Sequence, residues 1–152
     1  AAPRPDSRSR NRPATILGVQ RQIRKAMRHG WAILFVEFHG YGETHDCLRD
    51  VCKNYKRKAR VLKWEDSGAA AVMQACKEHD FPIDYFRVCG VNTAACVYST
   101  VRGLHQYYAY DAEIEVIRSA CNQPLQWHRD GYGPSWAFRK MQTVANARLL
   151  AA

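Results

Sequence analysis

The sequence predicts an α/β fold, a mainly parallel sheet between two layers of helices. Three observations point there. Trp31 to Phe38 (WAILFVEF) is a nearly continuous apolar run ending in one acid and an aromatic. Such a run suits a parallel strand buried on both faces. Asp84 to Gly90 (DYFRVCG) is a second run of this kind, and it ends in glycine just before a helix-like stretch. Between and beyond them, strand-like and helix-like segments alternate, which is the pattern of sheets covered by helices.

The elements follow in order. Residues 1–13 hold three prolines and almost nothing apolar, so they read as an extended basic arm. A single domain is expected over residues 14–152. Ile16, Val19, Ile23 and Met27 recur at helical spacing, which predicts a helix from Ile16 to His29. After the first strand, Glu43 to Tyr55 reads as a helix and Arg60 to Trp64 as a short strand. Ser67 to His79 is helical, with Ala69, Met73 and Cys76 on one face, until Pro82. Thr93 to Leu104 reads as a helix, His105 to Tyr110 (HQYYAY) as a third strand, and Glu113 to Ala120 as a short helix. Asn122 to Pro134 is turn-rich. Trp136 to Ala147 reads as the last helix, and Arg148 to Ala152 as a final strand.

Composition narrows the class. The chain has 152 residues, 47% of them hydrophobic, which suffices for one core. No apolar run nears the ~20 residues of a membrane span, and the N-terminal stretch lacks the apolar segment of a secretory leader. An intracellular protein of the cytoplasm or an organelle matrix is expected. The six cysteines, Cys47, Cys52, Cys76, Cys89, Cys96 and Cys121, form no CxxC pair and read as reduced thiols. The formal charge is +9. Residues 1–30 carry eight basic side chains against one acid, Asp6, so most of the excess sits there. A second basic run spans Lys53 to Arg60 (KNYKRKAR). Such runs bind phosphate polymers or acidic partners, or are simply solvated.

In parallel sheets the working groups gather at the carboxyl ends of the strands. That selects Glu37, Lys63, the turn from Gly90 to Cys96, and Asp111. Cys96 falls in the first turn of the predicted helix, where free N–H groups favour a thiolate and can hold an oxyanion. Cys89 lies inside a strand and reads as a small core residue. A thiol nucleophile needs a proton acceptor, for which Glu37 is the candidate, and a cation, for which Lys63 is the candidate.

The stretch Gly90-Val91-Asn92-Thr93-Ala94-Ala95-Cys96-Val97 resembles the G-V-x-T-x-x-C-V motif of the isochorismatase-like cysteine hydrolases, the superfamily that includes nicotinamidases. Lys63 to Ala69 looks like that family's lysine-to-serine stretch, Phe81 to Gly90 like its strand entry, and Tyr110-Asp111-Ala112 like its strand-ending Asp-Ala. The resemblance covers about residues 31–150. It implies Cys96 as nucleophile, Lys63 as the triad lysine, and Glu37 where the family carries aspartate. It implies a cis peptide at Val91-Asn92, with Asn92 and Cys96 N–H groups forming an oxyanion hole and Thr93 bracing the turn. Glu37 departs from the pattern by one methylene, and His39 stands where glutamine is usual. Only 25 residues separate Glu37 from Lys63, without the family's Asp-x-His, so neither a metal nor another cofactor is expected. Tyr41, Trp64 and Tyr98 are candidate pocket aromatics or core residues.

Two main readings remain open on the sequence. One is a cysteine hydrolase acting on a small amide or related C–N bond through a thioester. The other is a catalytically inactive subunit of an oligomer or larger complex, anchored through basic residues 1–28 to RNA or an acidic protein. An unrelated α/β binding protein is a third.

Overall fold

The computed structural model describes residues 13–122, 131, 133–144 and 147–151. The chain begins with helix α1, Pro13–His29. Pro13 opens this helix rather than ending the arm, and residues 1–12 lie outside the described residues. Strand β1 is Ile33–Phe38, α2 is Asp46–Val51, β2 is Lys58–Lys63 and α3 is Ala69–His79. Strand β3, Tyr85–Val91, leads into an unbroken helical run. It has a π turn Thr93–Val97, helix α4 Tyr98–Gly103 and a second π turn Leu104–Tyr108. Strand β4 is Glu113–Asn122, helix α5 Pro134–Met141 and strand β5 Ala147–Leu150.

All observed strand pairs are parallel. They form two hydrogen-bonded groups, β1-β2 and β3-β4-β5, instead of the single ladder expected. Helices cover both sides. Ile33 and Phe35 of β1 pack with Ile23, Ala26 and Cys52 from α1 and the end of α2. The alternate residues Leu34 and Val36 pack against the second core, built from Ala69, Val72, Val101, Leu104, Ile114, Val116, Phe138 and Met141. The pleat therefore sorts neighbouring side chains into different layers.

Two assignments change. His105 to Tyr110 is not a strand: the helix runs on through Tyr108. Its aromatics suit a strand by propensity, but Tyr107 and Tyr110 are exposed and only Leu104 and Ala109 reach the core. The third core strand is Glu113–Asn122, read from sequence as a helix. Its opening Glu-Ile-Glu-Val alternates and its Ile and Val are β-branched, strand signals that the helix reading passed over, and Ile114, Glu115, Val116 and Ile117 are all buried. The turn-rich stretch after Asn122 lies mostly outside the described residues.

The basic run before β2 has partly structural work. The Lys58 ammonium donates to the carbonyls of Cys52 (2.9 Å), Lys53 (3.2 Å) and Tyr55, capping the end of α2 and the turn after it. Arg57 lies over the Phe81 ring at 5.5 Å. On the other flank, Gly18 of α1 sits against the backbone of β4. A Cβ there would meet the Ser119 carbonyl carbon at 2.9 Å and Ala120 Cα at 3.2 Å.

Glycine to alanine inside a helix ordinarily stabilises by up to ~1 kcal/mol. At Gly18 the neighbour is backbone and cannot turn aside. Gly18→Ala is expected to destabilise by about 1–3 kcal/mol, lowering the thermal midpoint by ~2–4 °C per kcal/mol. A melting curve that rises would show that α1 does not lie this close to β4 at Gly18.

Candidate active site

Lys63 is the last residue of β2 and is buried. Its ammonium donates to the backbone carbonyl of Asp66 and stands 4.7 Å from the centre of the Phe38 ring. Phe38 is its register partner on β1. Glu37, one residue earlier, projects to the opposite face with Ile33 and Phe35. There Arg60 binds it twice, Nη2 to Oε1 at 3.0 Å and Nε to Oε2 at 3.3 Å, and the Thr44 N–H donates to Oε2 at 2.6 Å. Burial pushes the Glu37 carboxyl upward, but the Arg60 and Thr44 hydrogen bonds and the Arg60 charge outweigh it, and the group ends below its usual range. The expected convergence of Glu37 with Lys63 and Cys96 is therefore not what the fold builds: the pleat puts Glu37 on the far side.

Cys96 sits in the π turn after β3, half-buried. The chain enters that turn through Asn92, held left-handed at φ 63°, ψ 60°. No peptide bond among the described residues is cis, so Val91-Asn92 is trans and the reversal expected of a cis bond is made by Asn92's own dihedrals. Asparagine is among the few non-glycine residues that tolerate this region. Asn92 Nδ2 lies 3.9 Å from Cys96 Sγ, and Asp66 Oδ1 lies 4.0 Å from it on the other side. The thiol thus has a carboxylate neighbour, and the same Asp66 holds Lys63 through its carbonyl. Asp66 was absent from the sequence candidates. Its one signal is position, three residues past the end of β2 in KWEDSG. Thr93 is fully buried, and its Oγ1, like Asn92 Oδ1 and Asn122 Nδ2, has no hydrogen-bond partner among the described residues. Asn122 pairs with Val91 in the ladder and ends β4 at this same edge.

Asp111 lies before β4, at the edge opposite Cys96, so it does not belong to the constellation. Of the candidate aromatics, Tyr98 is half-buried and edge-on to Trp136, as a core residue. Trp64 is 69% exposed and stacks on His39 with ring centres 3.8 Å apart. Tyr41 is half exposed and meets the Phe38 ring edge-on. Val91 is exposed at the end of β3. An open cleft of about 380 Å³ lies on the Glu37 and Arg60 side, lined also by Phe38, His39, Gly40 and Glu43; Cys96 does not line it. Among the described residues no cluster of three metal-ligating side chains occurs, and no helix is long and apolar enough to cross a membrane.

No protein-family profile and no curated protein matches the chain. Solved structures do. A MAR1 ribonuclease from Caenorhabditis elegans superposes with a TM-score of 0.73 at 17% identity, over 93% of this chain and 67% of that one. A pyrazinamidase/nicotinamidase from Streptococcus mutans gives 0.70 at 20% identity, over 90% and 85%. An isochorismatase from Pseudomonas putida gives 0.64 at 14% identity, over 90% and 74%. The chain has the isochorismatase-like hydrolase fold. In this isochorismatase-like chain the lysine and cysteine of the motif stand on one face of the sheet, and the glutamate does not.

The remaining cysteines set a baseline for Cys96. Burial pushes the Cys89 thiol up to about 11, and raises those of Cys121, Cys76 and Cys52. At pH 8 a thiol at 11 is only ~0.1% thiolate, the form that reacts. Iodoacetamide is expected to label Cys96 well before Cys89, read by peptide mass spectrometry. Equal or reversed labelling would count against a reactive Cys96.

The Glu37–Arg60 pair predicts a stability profile. A carboxyl lowered in the folded state contributes stability above its unfolded value, and loses it as pH falls through the folded one. The thermal midpoint should fall as pH drops below 4.5, the ordinary carboxyl value. The drop should be shallower in Glu37→Gln, which lacks the charge.

Proposed function

We propose that the chain hydrolyses a small amide or related C–N bond, with Cys96 as nucleophile, Lys63 as the cation and Asp66 as the carboxylate. The observation that carries this reading is the Cys96 thiol standing 4.0 Å from Asp66 Oδ1 while Lys63 is tied to the same residue. A nucleophile, a proton acceptor and a cation are what thiol acyl transfer requires. Asp66 takes the thiol proton, and the thiolate attacks the carbonyl carbon. Asn92 Nδ2, 3.9 Å from the sulfur, donates to the oxyanion. Asp66 returns the proton to the leaving amine as the C–N bond breaks, leaving a thioester. Water, losing a proton to Asp66, then releases the acid, and Cys96 regains its proton.

The name of the Streptococcus mutans neighbour, an amidase of a ring carboxamide, fits the same bond type.

The second reading, an inactive subunit bound to a polyanion, is favoured by Glu37 being spent on Arg60 and by Phe38 facing Lys63 in its stead. Helix α1 adds exposed Arg21, Arg24 and Arg28 with no acid along its length. A neighbour named as a ribonuclease makes RNA the first polyanion to try.

The readings separate on activity against a panel of simple carboxamides, followed by ammonia release. Hydrolysis is expected to be lost in Cys96→Ala, and to fall ~10²–10⁴-fold in Asp66→Asn, the usual contribution of a positioned base. Glu37→Gln should keep activity within a few-fold while melting lower. If Glu37→Gln is the dead variant and Asp66→Asn is active, the assignment of the carboxylate is wrong. A wild type inert on every amide, yet binding RNA with an affinity that falls steeply with salt, would favour the subunit reading.

A further inference from the structure

We propose that Thr100 is a positioning residue that sets the separation between the Cys96 thiol and the Asp66 carboxylate. The inference rests on the reading of Asp66 as the partner of Cys96. The two groups come from different chain segments. Asp66 lies in the loop between β2 and α3, and Cys96 in the turn after β3. Their own contact, sulfur to carboxylate at 4.0 Å, is too loose to hold the segments in register.

Thr100 joins them. Its hydroxyl donates to the Cys96 carbonyl at 2.7 Å and accepts the Gly68 N–H at 2.8 Å. A helical threonine commonly bonds back to the carbonyl four residues earlier. That bond orients the hydroxyl and leaves its lone pairs for a second partner. Here the second partner is the backbone two residues beyond Asp66. One oxygen thereby fixes the cysteine turn to the acid-bearing loop.

The packing around this link leaves no slack. A Cβ on Gly68 would meet Val36 Cγ1 at 3.0 Å, Thr100 Oγ1 at 3.3 Å and Lys63 Cδ at 3.5 Å. A Cβ on Gly103, one turn further along the same helix, would meet Ala69 Cβ and Ser67 Oγ at 2.9 Å each. Two glycines thus let each backbone close on the other segment's side chains, and the Thr100 hydroxyl supplies the directional bond between them.

The test is a cycle of Thr100→Val, Asp66→Asn and the double variant, with Thr100→Ser as the conservative control. The readout is the rate of iodoacetamide labelling at Cys96 at fixed pH, followed by peptide mass spectrometry. In the proposed mechanism Asp66 takes the thiol proton, so its loss leaves the sulfur without an acceptor. Removing Asp66, or loosening its loop, should therefore slow labelling by about tenfold or more. Thr100→Val is expected to do so in the wild-type background and to add nothing on top of Asp66→Asn. Thr100→Ser should label like wild type. Gly103→Ala, which pushes Ser67 away without touching the hydroxyl, should slow labelling as well, and covers the case of a Thr100→Val that does not fold.

Where amide hydrolysis is measured, Thr100→Val is expected to lower kcat by roughly 100-fold with KM little changed, the scale of an ångström's misplacement. Additive effects in the cycle, or a serine variant that behaves like valine, overturn the proposal. A wild type that hydrolyses no amide, with a cycle that still closes as described, sinks the hydrolase reading and leaves the positioning role standing. Active hydrolysis with an additive cycle does the reverse.

Discussion

The pleat of the paired strands β1 and β2 is the constraint from which the site follows. Both strands point the same way and end at the same edge, with Phe38 opposite Lys63 and Glu37 opposite Leu62. Because successive side chains leave a strand on opposite faces, a one-residue difference decides the layer. Lys63 goes to the face that carries the helix with Cys96. Glu37 goes to the face beneath α1, where Arg60 and Thr44 satisfy it. A buried carboxylate without them would be costly, so the ion pair keeps β1 in this register as much as it neutralises charge.

On the other face Lys63, Asp66 and Cys96 are brought together by loops, not by strand interiors. The Lys63 ammonium is anchored by a backbone carbonyl and an aromatic face, leaving Asp66's side chain toward Cys96. The acid and the thiol belong to elements that touch through glycine contacts at Gly68 and Gly103 and through the two hydrogen bonds of Thr100. A constellation of this sort depends on the docking of one loop against one helix. Its geometry is set by packing a few residues away from the acid and the thiol.

Much of the architecture was legible in the chain. Parallel strands announce themselves as apolar runs, and WAILFVEF and DYFRVCG each hold one, although β1 is fully buried only at alternate residues and β3 is only half-buried. Helix α1 was visible in the spacing of Ile16, Val19, Ile23 and Met27, and the turn at Cys96 in the glycine that closes β3. The reading went wrong between residues 105 and 120. HQYYAY carries strand-forming aromatics that the fold leaves at the surface of a helix, so there burial overrode propensity. EIEVI alternates, is rich in β-branched residues and forms the central strand β4, so there the local signal was present and the helix reading missed it.

The sequence by itself determined the α/β class, the parallel strands and the placing of Lys63 and Cys96 at strand ends, because hydrophobic period and turn residues act locally. Only the tertiary structure decided which carboxylate stands beside the thiol. Along the chain Glu37 was the candidate acid, and Asp66 carried no signal beyond its place three residues past the end of β2. What separates them is the side of the sheet each reaches and whether a cation is already there. Pairing register fixes the first, and Arg60, 23 residues away from Glu37, supplies the second. Neither can be read from neighbouring residues, since both arise from contacts between segments that meet only when the chain is folded.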